Sequence, residues 1–126
     1  MKFHHLGIAT KDLKSSLEFV QKNFEVLEVS EEIFDENQNA TLQMIKTKDL
    51  NIELVSGKVV EKLIASKITY YHICYEVEDI YGKIEEFQKN GGAMLVSSVK
   101  PAILFDNRLV AFLMTPLGLV ELLNAN

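Results

Sequence analysis

The amino-acid sequence predicts an α+β fold built from two related halves, and three observations support this prediction. A stretch that begins at residue 5 repeats at residue 72, strand-like and helix-like segments follow in the same order in both copies, and a His and a Glu recur at matched places in each copy. The chain has 126 residues, which fits one domain or two small halves that share one core. We therefore expect a single domain over residues 1–126, with a first module at about 1–57, a connecting segment at about 58–67 and a second module at about 68–126.

The repeat aligns without gaps. HLGIATKDLKSSLEFVQKNF (5–24) matches HICYEVEDIYGKIEEFQKNG (72–91) at an offset of 67, and six of the 20 positions are identical. Further on, IELVS (52–56) matches VELLN (120–124) at an offset of 68. Two copies are too few for a solenoid, so the pattern indicates one duplicated module.

The sequence of each module predicts a strand, a helix and then three strands. Asp12 and Asp79 follow the first strand of their module and are typical helix N-caps, and Gly91-Gly92 is typical of a helix C-cap. Apolar residues recur after each N-cap at the spacing of one helix face: Leu13, Leu17, Val20 and Phe24 in the first module, and Ile80, Ile84 and Phe87 in the second. The later strands are expected at roughly 26–34, 40–47 and 51–56, then 93–99, 108–115 and 118–124, and residues 57–67 predict a short amphipathic helix.

The composition excludes several classes of protein. The net charge is −5 and Arg108 is the only arginine, which argues against nucleic-acid binding because phosphate contacts need clustered basic residues. The longest apolar run, 109–114, is far shorter than a membrane span. The N-terminal residues do not resemble a signal peptide, and the single cysteine, Cys74, fits a reducing compartment. We expect a cytoplasmic protein that binds neither nucleic acid nor membrane.

Four ionisable residues suggest a metal site. His5 precedes Glu53 by 48 residues, and His72 precedes Glu121 by 49, so each module begins with a histidine strand and ends with a glutamate strand. Each glutamate interrupts an aliphatic strand, and burial of a carboxylate is costly unless it is paired. Taken singly, each residue also fits an ordinary role as a solvated glutamate or a hydrogen-bonded histidine. Together, two imidazoles and two carboxylates suit one divalent ion such as zinc, nickel, cobalt or manganese.

Three stretches, HHLGIATKDL, YHICYEVEDI and GLVELL, resemble the vicinal oxygen chelate superfamily, and the similarity extends over nearly the whole chain. This superfamily includes glyoxalase I, methylmalonyl-CoA epimerase, extradiol dioxygenases and bleomycin resistance proteins. The resemblance implies two βαβββ modules in a cupped, incomplete eight-stranded barrel. It also implies that His5, Glu53, His72 and Glu121 are the metal ligands, and it favours a homodimer.

The resemblance implies one of several activities. The sequence is similar to methylmalonyl-CoA epimerases, which abstract a proton next to a carbonyl of an acyl thioester, but Asn37 occupies the position where their pattern has a catalytic glutamate. A shift of register would be needed for Asp35 or Glu36 to replace it. A glyoxalase I-like lactoylglutathione lyase is the alternative, although Ala9 replaces the arginine that those enzymes carry four residues after the first histidine. A non-enzymatic, bleomycin-resistance-like binding protein is a further alternative.

Roles for individual residues follow from this chemistry. A carboxylate must accept the proton, and we expect Glu121 to do so first and Glu53 second. Arg108 and Asn107 lie at the start of the strand predicted at 108–115, where they are candidates for binding the substrate, a small carbonyl compound or acyl thioester.

Overall fold

The computed structural model describes residues 1–126, which form two compact units. The N-terminal unit comprises residues 5–71, and the C-terminal unit comprises residues 72–126 together with residues 1–4. The α-helices are α1 (Leu13–Asn23), α2 (Glu61–Ala65) and α3 (Ile80–Asn90). The strands are β1 (Lys2–Ala9), β2 (Val26–Val29), β3 (Ile33–Asp35), β4 (Ala40–Thr47), β5 (Asn51–Ser56), β6 (Tyr70–Val77), β7 (Met94–Leu95), β8 (Lys100–Ala102), β9 (Arg108–Thr115) and β10 (Gly118–Asn124). None of the helices is long and apolar enough to cross a membrane.

The N-terminal unit packs α1 against a sheet in the order β2-β4-β5-β1, with β3 also paired to β4. Strand β5 is antiparallel to β4 and parallel to β1. Asp12 lies three residues after the end of β1 and caps α1 by accepting a hydrogen bond from the Ser15 amide, so the helix begins at Leu13. Leu13 and Val20 then bury the apolar face of α1 against Leu54 and other residues of the sheet.

The C-terminal unit repeats this arrangement, with the order β6-β10-β9-β7 and with β8 also paired to β9. Strand β10 is antiparallel to β9 and parallel to β6. Asp79 caps α3 through the Gly82 amide, and Gly91 ends the helix with a φ of 84°, a left-handed conformation that favours glycine. Ile80 and Ile84 pack on Leu122 and its neighbours on one face of the sheet.

The predicted α+β class is confirmed, as are both helices with their aspartate N-caps. The strands expected at 40–47, 51–56, 108–115 and 118–124 have the predicted bounds. The strand expected at 26–34 is instead divided into β2 and β3. Of the strand expected at 93–99 only β7 forms, and β8 follows beyond the expected range, so ten strands form where eight were expected. Residues 58–65 are helical, as predicted, first as a 3-10 turn and then as α2.

Phe24 departs from the predicted helix face. It is the C-cap of α1 rather than part of the helix, and its backbone is extended. Its side chain is 39% exposed, so the helical spacing that includes Leu13, Leu17 and Val20 ends before it.

Candidate metal centre

In the N-terminal unit, the first and last strands bring His5 and Glu53 together. Strands β1 and β5 run parallel, and Glu53 lies opposite Gly7, two residues after His5. Ile52 and Leu54 point to the side of the sheet that packs on α1, so alternation directs Glu53 to the opposite face. His5 Nε2 lies 3.6 Å from Glu53 Oε1, and the two side chains are 0% and 1% exposed.

In the C-terminal unit, His72 and Glu121 form a second pair in the same register. Glu121 on β10 lies opposite Cys74, again two residues after the histidine. His72 Nε2 lies 3.2 Å from Glu121 Oε1, with both side chains equally buried. Phe112 lies opposite Glu121 on β9, and its ring packs edge-on against His72 with centroids 5.4 Å apart. The ring thereby limits the rotation of the imidazole.

The donor atoms of each pair suit a divalent ion. In both pairs the same atoms, Nε2 and Oε1, approach one another, at 3.6 and 3.2 Å. Two ligands with bonds of about 2.1 Å to one ion lie roughly 3.0 to 3.4 Å apart, depending on coordination geometry. A charge-assisted hydrogen bond between these groups is shorter, at about 2.7 to 2.9 Å. The spacing within each pair is therefore closer to that of two metal ligands than to that of a short ion pair.

His4 lies outside these pairs. It is half-buried, and its ring packs edge-on against Phe105 with centroids 5.4 Å apart. Each pair thus uses the histidine that the repeat aligns, His5 or His72.

The segment that replaces the expected catalytic acid forms a turn between β3 and β4. The Asp35 carboxylate is 3% exposed and accepts hydrogen bonds from the Asn37 amide at 2.9 Å, the Gln38 amide at 3.4 Å and the Gln38 side chain at 3.0 Å. These bonds commit Asp35 to closing the turn. Glu36 is exposed in the same turn.

Arg108 is held by an acidic partner that the sequence analysis did not identify. Its Nη1 donates to Glu76 Oε2 at 2.9 Å, and also to the carbonyls of Asn124 and Ala125 at 3.4 and 3.3 Å. The hydrogen bond from Arg108, and then its positive charge, hold the pKa of Glu76 below its ordinary value, although burial opposes this shift. The repeat contained one indication of Glu76, because at the offset of 67 it aligns this charged residue with the apolar Ala9.

Asn107 shapes the turn that leads into β9. Its φ is 63°, in the left-handed region that asparagine tolerates, and its amide donates to the carbonyl of Ala102 at 2.9 Å. Asn39 has the corresponding place before β4 and a φ of 53°. Since both modules use an asparagine here, the conformation of Asn107 is explained by the turn.

Comparisons with known proteins agree with this architecture. A methylmalonyl-CoA epimerase from Mycobacterium tuberculosis has a TM-score of 0.84 at 18% identity, with 99% of this chain and 88% of the epimerase covered. A hypothetical protein from Bacillus halodurans C-125 has a TM-score of 0.77 at 23% identity, with 99% and 94% covered. At these identities the likeness establishes the fold alone.

Sequence comparison identifies the family. No curated protein matches the chain. The profile of the Glyoxalase/Bleomycin resistance protein/Dioxygenase superfamily matches residues 4–112, which is most of the sequence. The chain therefore belongs to the glyoxalase/bleomycin resistance protein/dioxygenase superfamily, the vicinal oxygen chelate proteins.

Proposed function

We propose that the protein is a metal-dependent isomerase or epimerase, similar to methylmalonyl-CoA epimerase, that removes a proton next to the carbonyl of a small acyl substrate. The observation that carries this proposal is the recurrence of a buried His/Glu pair in the same register in both modules. Membership of a superfamily that typically binds a divalent metal supports it.

The proposed ligands of one divalent ion are His5, Glu53, His72 and Glu121. All four are buried, and their imidazole and carboxylate donors form a suitable ligand set. Two carboxylates balance the charge of a divalent ion, which offsets the cost of burying them. Zinc, nickel, cobalt and manganese all accept such mixed nitrogen and oxygen donors.

When bound, the ion supplies positive charge that polarises a carbonyl of the substrate and makes the adjacent C–H more acidic. Glu121 is the proposed base and accepts that proton on a carboxylate oxygen. Phe112 packs against His72 and lies opposite Glu121 on β9, so an apolar ring borders the proposed base. Glu53 holds the ion and is the second candidate base.

Epimerisation needs a proton to return to the opposite face of the same carbon. Asp35 is a poor donor because its carboxylate closes the turn before β4. The other carboxylate of the proposed ligand set is Glu53, so an epimerisation would use Glu121 for the proton that is removed and Glu53 for the proton that returns.

A lactoylglutathione lyase of the glyoxalase I type is the second candidate. The commitment of Asp35 to the turn favours it, because a shift of a proton between neighbouring carbons can be carried by one carboxylate.

Proton exchange in deuterated water separates these candidates. The metal-loaded protein is incubated with methylmalonyl-CoA or with the glutathione hemithioacetal of methylglyoxal, and deuterium incorporation is followed by mass spectrometry. Exchange and inversion of methylmalonyl-CoA support the epimerase, whereas conversion of the hemithioacetal supports the lyase. Tight binding of metal without exchange of either substrate would favour the non-enzymatic binding protein.

We also propose that the protein is a cytoplasmic homodimer. The edge strands β2 and β7 each leave one side without a strand partner, and a second copy would cover these edges. Sedimentation of a monomer of 14.3 kDa at micromolar concentration would contradict the dimer.

A further inference from the structure

The two modules carry different residues at one pair of equivalent positions. The repeat aligns Ala9 with Glu76 and Ala40 with Arg108, at offsets of 67 and 68. In the N-terminal unit the two alanines are 2% and 0% exposed, so small methyl groups close this place. In the C-terminal unit the ion pair has side-chain exposures of 28% and 25%. Because the module closes with alanines in one half, the ion pair is not a requirement of the fold.

The hydrogen bonds of Arg108 leave one side of its guanidinium available. All three of its contacts, to Glu76 and to two carbonyls near the end of the chain, use Nη1. Its Nε and Nη2 have no hydrogen-bond partner in the protein. These two nitrogens present parallel N–H groups, the geometry that binds a carboxylate or a phosphate through two hydrogen bonds.

Arg108 lies on the same face of the sheet as the His72/Glu121 pair. On β6, Ile73 and Val77 pack on the α3 side, so alternation places Glu76 on the opposite face with His72. On β9, Arg108 shares the face of Phe112, the residue opposite Glu121. Four residues of extended strand separate Arg108 from Phe112, a distance of about 13 Å.

The distance between Arg108 and the His72/Glu121 pair determines which part of a ligand Arg108 can contact. An arginine side chain is shorter than this distance of about 13 Å, so the guanidinium of Arg108 cannot contact substrate oxygens that bind beside Glu121. It is suited to a charged group several bonds away from them. The net charge of the protein is −5, so affinity for an anion here must come from local N–H geometry rather than from the overall field.

We propose that Arg108 is an anion-recognition residue, and that Glu76 positions its guanidinium. The anion is a carboxylate or phosphate carried by the substrate, separated from the reacting carbonyl by roughly 10 Å of chain, given the strand spacing above. The anion site itself stands on the geometry of the C-terminal unit, and only its assignment to the substrate rests on the proposed function.

Because Arg108 is the only arginine, its Nε–Hε group gives a single, unambiguous signal in a ¹⁵N NMR spectrum. We would titrate the metal-free protein with inorganic phosphate, and titrate a second sample with chloride at matched ionic strength. The expected result is a saturable shift of the Nε–Hε signal and of the Glu76 and Val77 amides with phosphate, at millimolar half-saturation. An Nε–Hε signal that moves equally in phosphate and chloride would overturn the anion site, whatever the metal content of the protein.

Two variants sharpen this test. Arg108→Lys keeps the charge but loses the planar pair of donors, and we expect phosphate to bind about tenfold more weakly, as judged from the Val77 amide. The double variant Glu76→Ala/Arg108→Ala copies the alanines of the first module, so it should fold and lose the phosphate-dependent shifts. A double variant that folds and retains these shifts would place phosphate elsewhere and contradict the proposal.

The link to the substrate has a separate readout. For an anionic substrate that the protein turns over, Arg108→Lys should raise KM about tenfold and leave kcat within about twofold, because it removes binding remote from the reacting carbon. A fall in kcat with unchanged KM would contradict this role. Metal content, measured on the same variant, should stay at the wild-type level, so a failure of the metal proposal would be seen independently.

Discussion

The two modules agree at the His/Glu pairs and differ at the place that Ala9 and Ala40 fill in one of them and Glu76 and Arg108 in the other. The pairs share donor atoms, register and burial. The second place is apolar and closed in the N-terminal unit but charged and partly exposed in the C-terminal unit. A single ion can use equivalent ligands from two repeats, whereas a substrate has two unlike ends. Duplication of the module therefore accounts for the proposed metal ligands. Divergence of the C-terminal copy accounts for the proposed recognition of an anionic substrate by Arg108.

The largest effect should follow removal of a histidine. His72→Ala removes a proposed ligand and opens a coordination position, so tight binding of metal should be lost. If the pairs are equivalent, His5→Ala should have the same effect. The measurement is metal content after dialysis, with His4→Ala as the matched control that should retain metal. Full occupancy in His72→Ala would refute the ligand assignment.

Substitution of Glu121 and of Glu53 should change the rate of C–H exchange to different extents but metal affinity to a similar extent. Glu121→Gln removes the proposed base but keeps an oxygen donor, so metal affinity should fall modestly while C–H exchange falls by about 10². Glu53→Gln should reduce metal affinity to a similar extent and exchange by less. The measurement is deuterium incorporation into a substrate that the wild type exchanges.

The opposite ranking of these variants would place the base in the N-terminal unit. Equal losses would indicate that each glutamate serves one face of the substrate, which is the pattern expected of an epimerase.

The helix N-caps should behave alike in the two modules. Asp12 accepts a hydrogen bond from the Ser15 amide at 3.3 Å, and Asp79 accepts one from the Gly82 amide at 3.1 Å. Asp12→Ala and Asp79→Ala should each lower the free energy of unfolding by about 1 kcal/mol, measured by urea denaturation. A difference of more than about 2 kcal/mol between them would show that the caps are not equivalent.

The smallest effect concerns Glu76. Arg108 lowers its pKa in the folded protein, so the ion pair stabilises the fold above the ordinary pKa of 4.5, and this contribution is lost as the pH falls through the lowered pKa. Glu76→Gln should therefore reduce the free energy of unfolding by about 0.5 kcal/mol at pH 7, since the pair is partly exposed. The difference from wild type should shrink towards zero below the lowered pKa. A difference that grew in acid would contradict the assigned cause.

Most of the fold could be predicted because its determinants are local. Apolar and polar residues largely alternate along the strand at 40–47, and the strand at 118–124 is mostly apolar. Both long helices begin after an aspartate N-cap. The division of the second strand was not predictable, because a break in the β2 and β3 pairing depends on the partner strand β4. Phe24 was misplaced because helical spacing alone does not reveal where a helix ends.

The proximity within each His/Glu pair was predictable from the repeat, since spacings of 48 and 49 residues put each histidine on the first strand and each glutamate on the last strand of its module. In both modules the histidine lies two residues before the residue that pairs with the glutamate. The partner of Arg108 was not identified, because Glu76 lies 32 residues away and only the pairing of β6 with β10 and β10 with β9 brings the two strands close. The turn role of Asp35 was equally hidden, because it rests on backbone amides that no sequence pattern specifies.

The central proposal is that His5, Glu53, His72 and Glu121 are the ligands of one divalent ion, and metal stoichiometry tests it most directly. Purified protein is loaded with zinc, nickel, cobalt or manganese in turn, dialysed against metal-free buffer and analysed for metal and protein concentration. The account predicts about one tightly bound divalent ion per chain, because four ligands complete one site. Two ions per chain would mean that each pair binds its own ion, and no retained ion of any of the four metals would contradict the account.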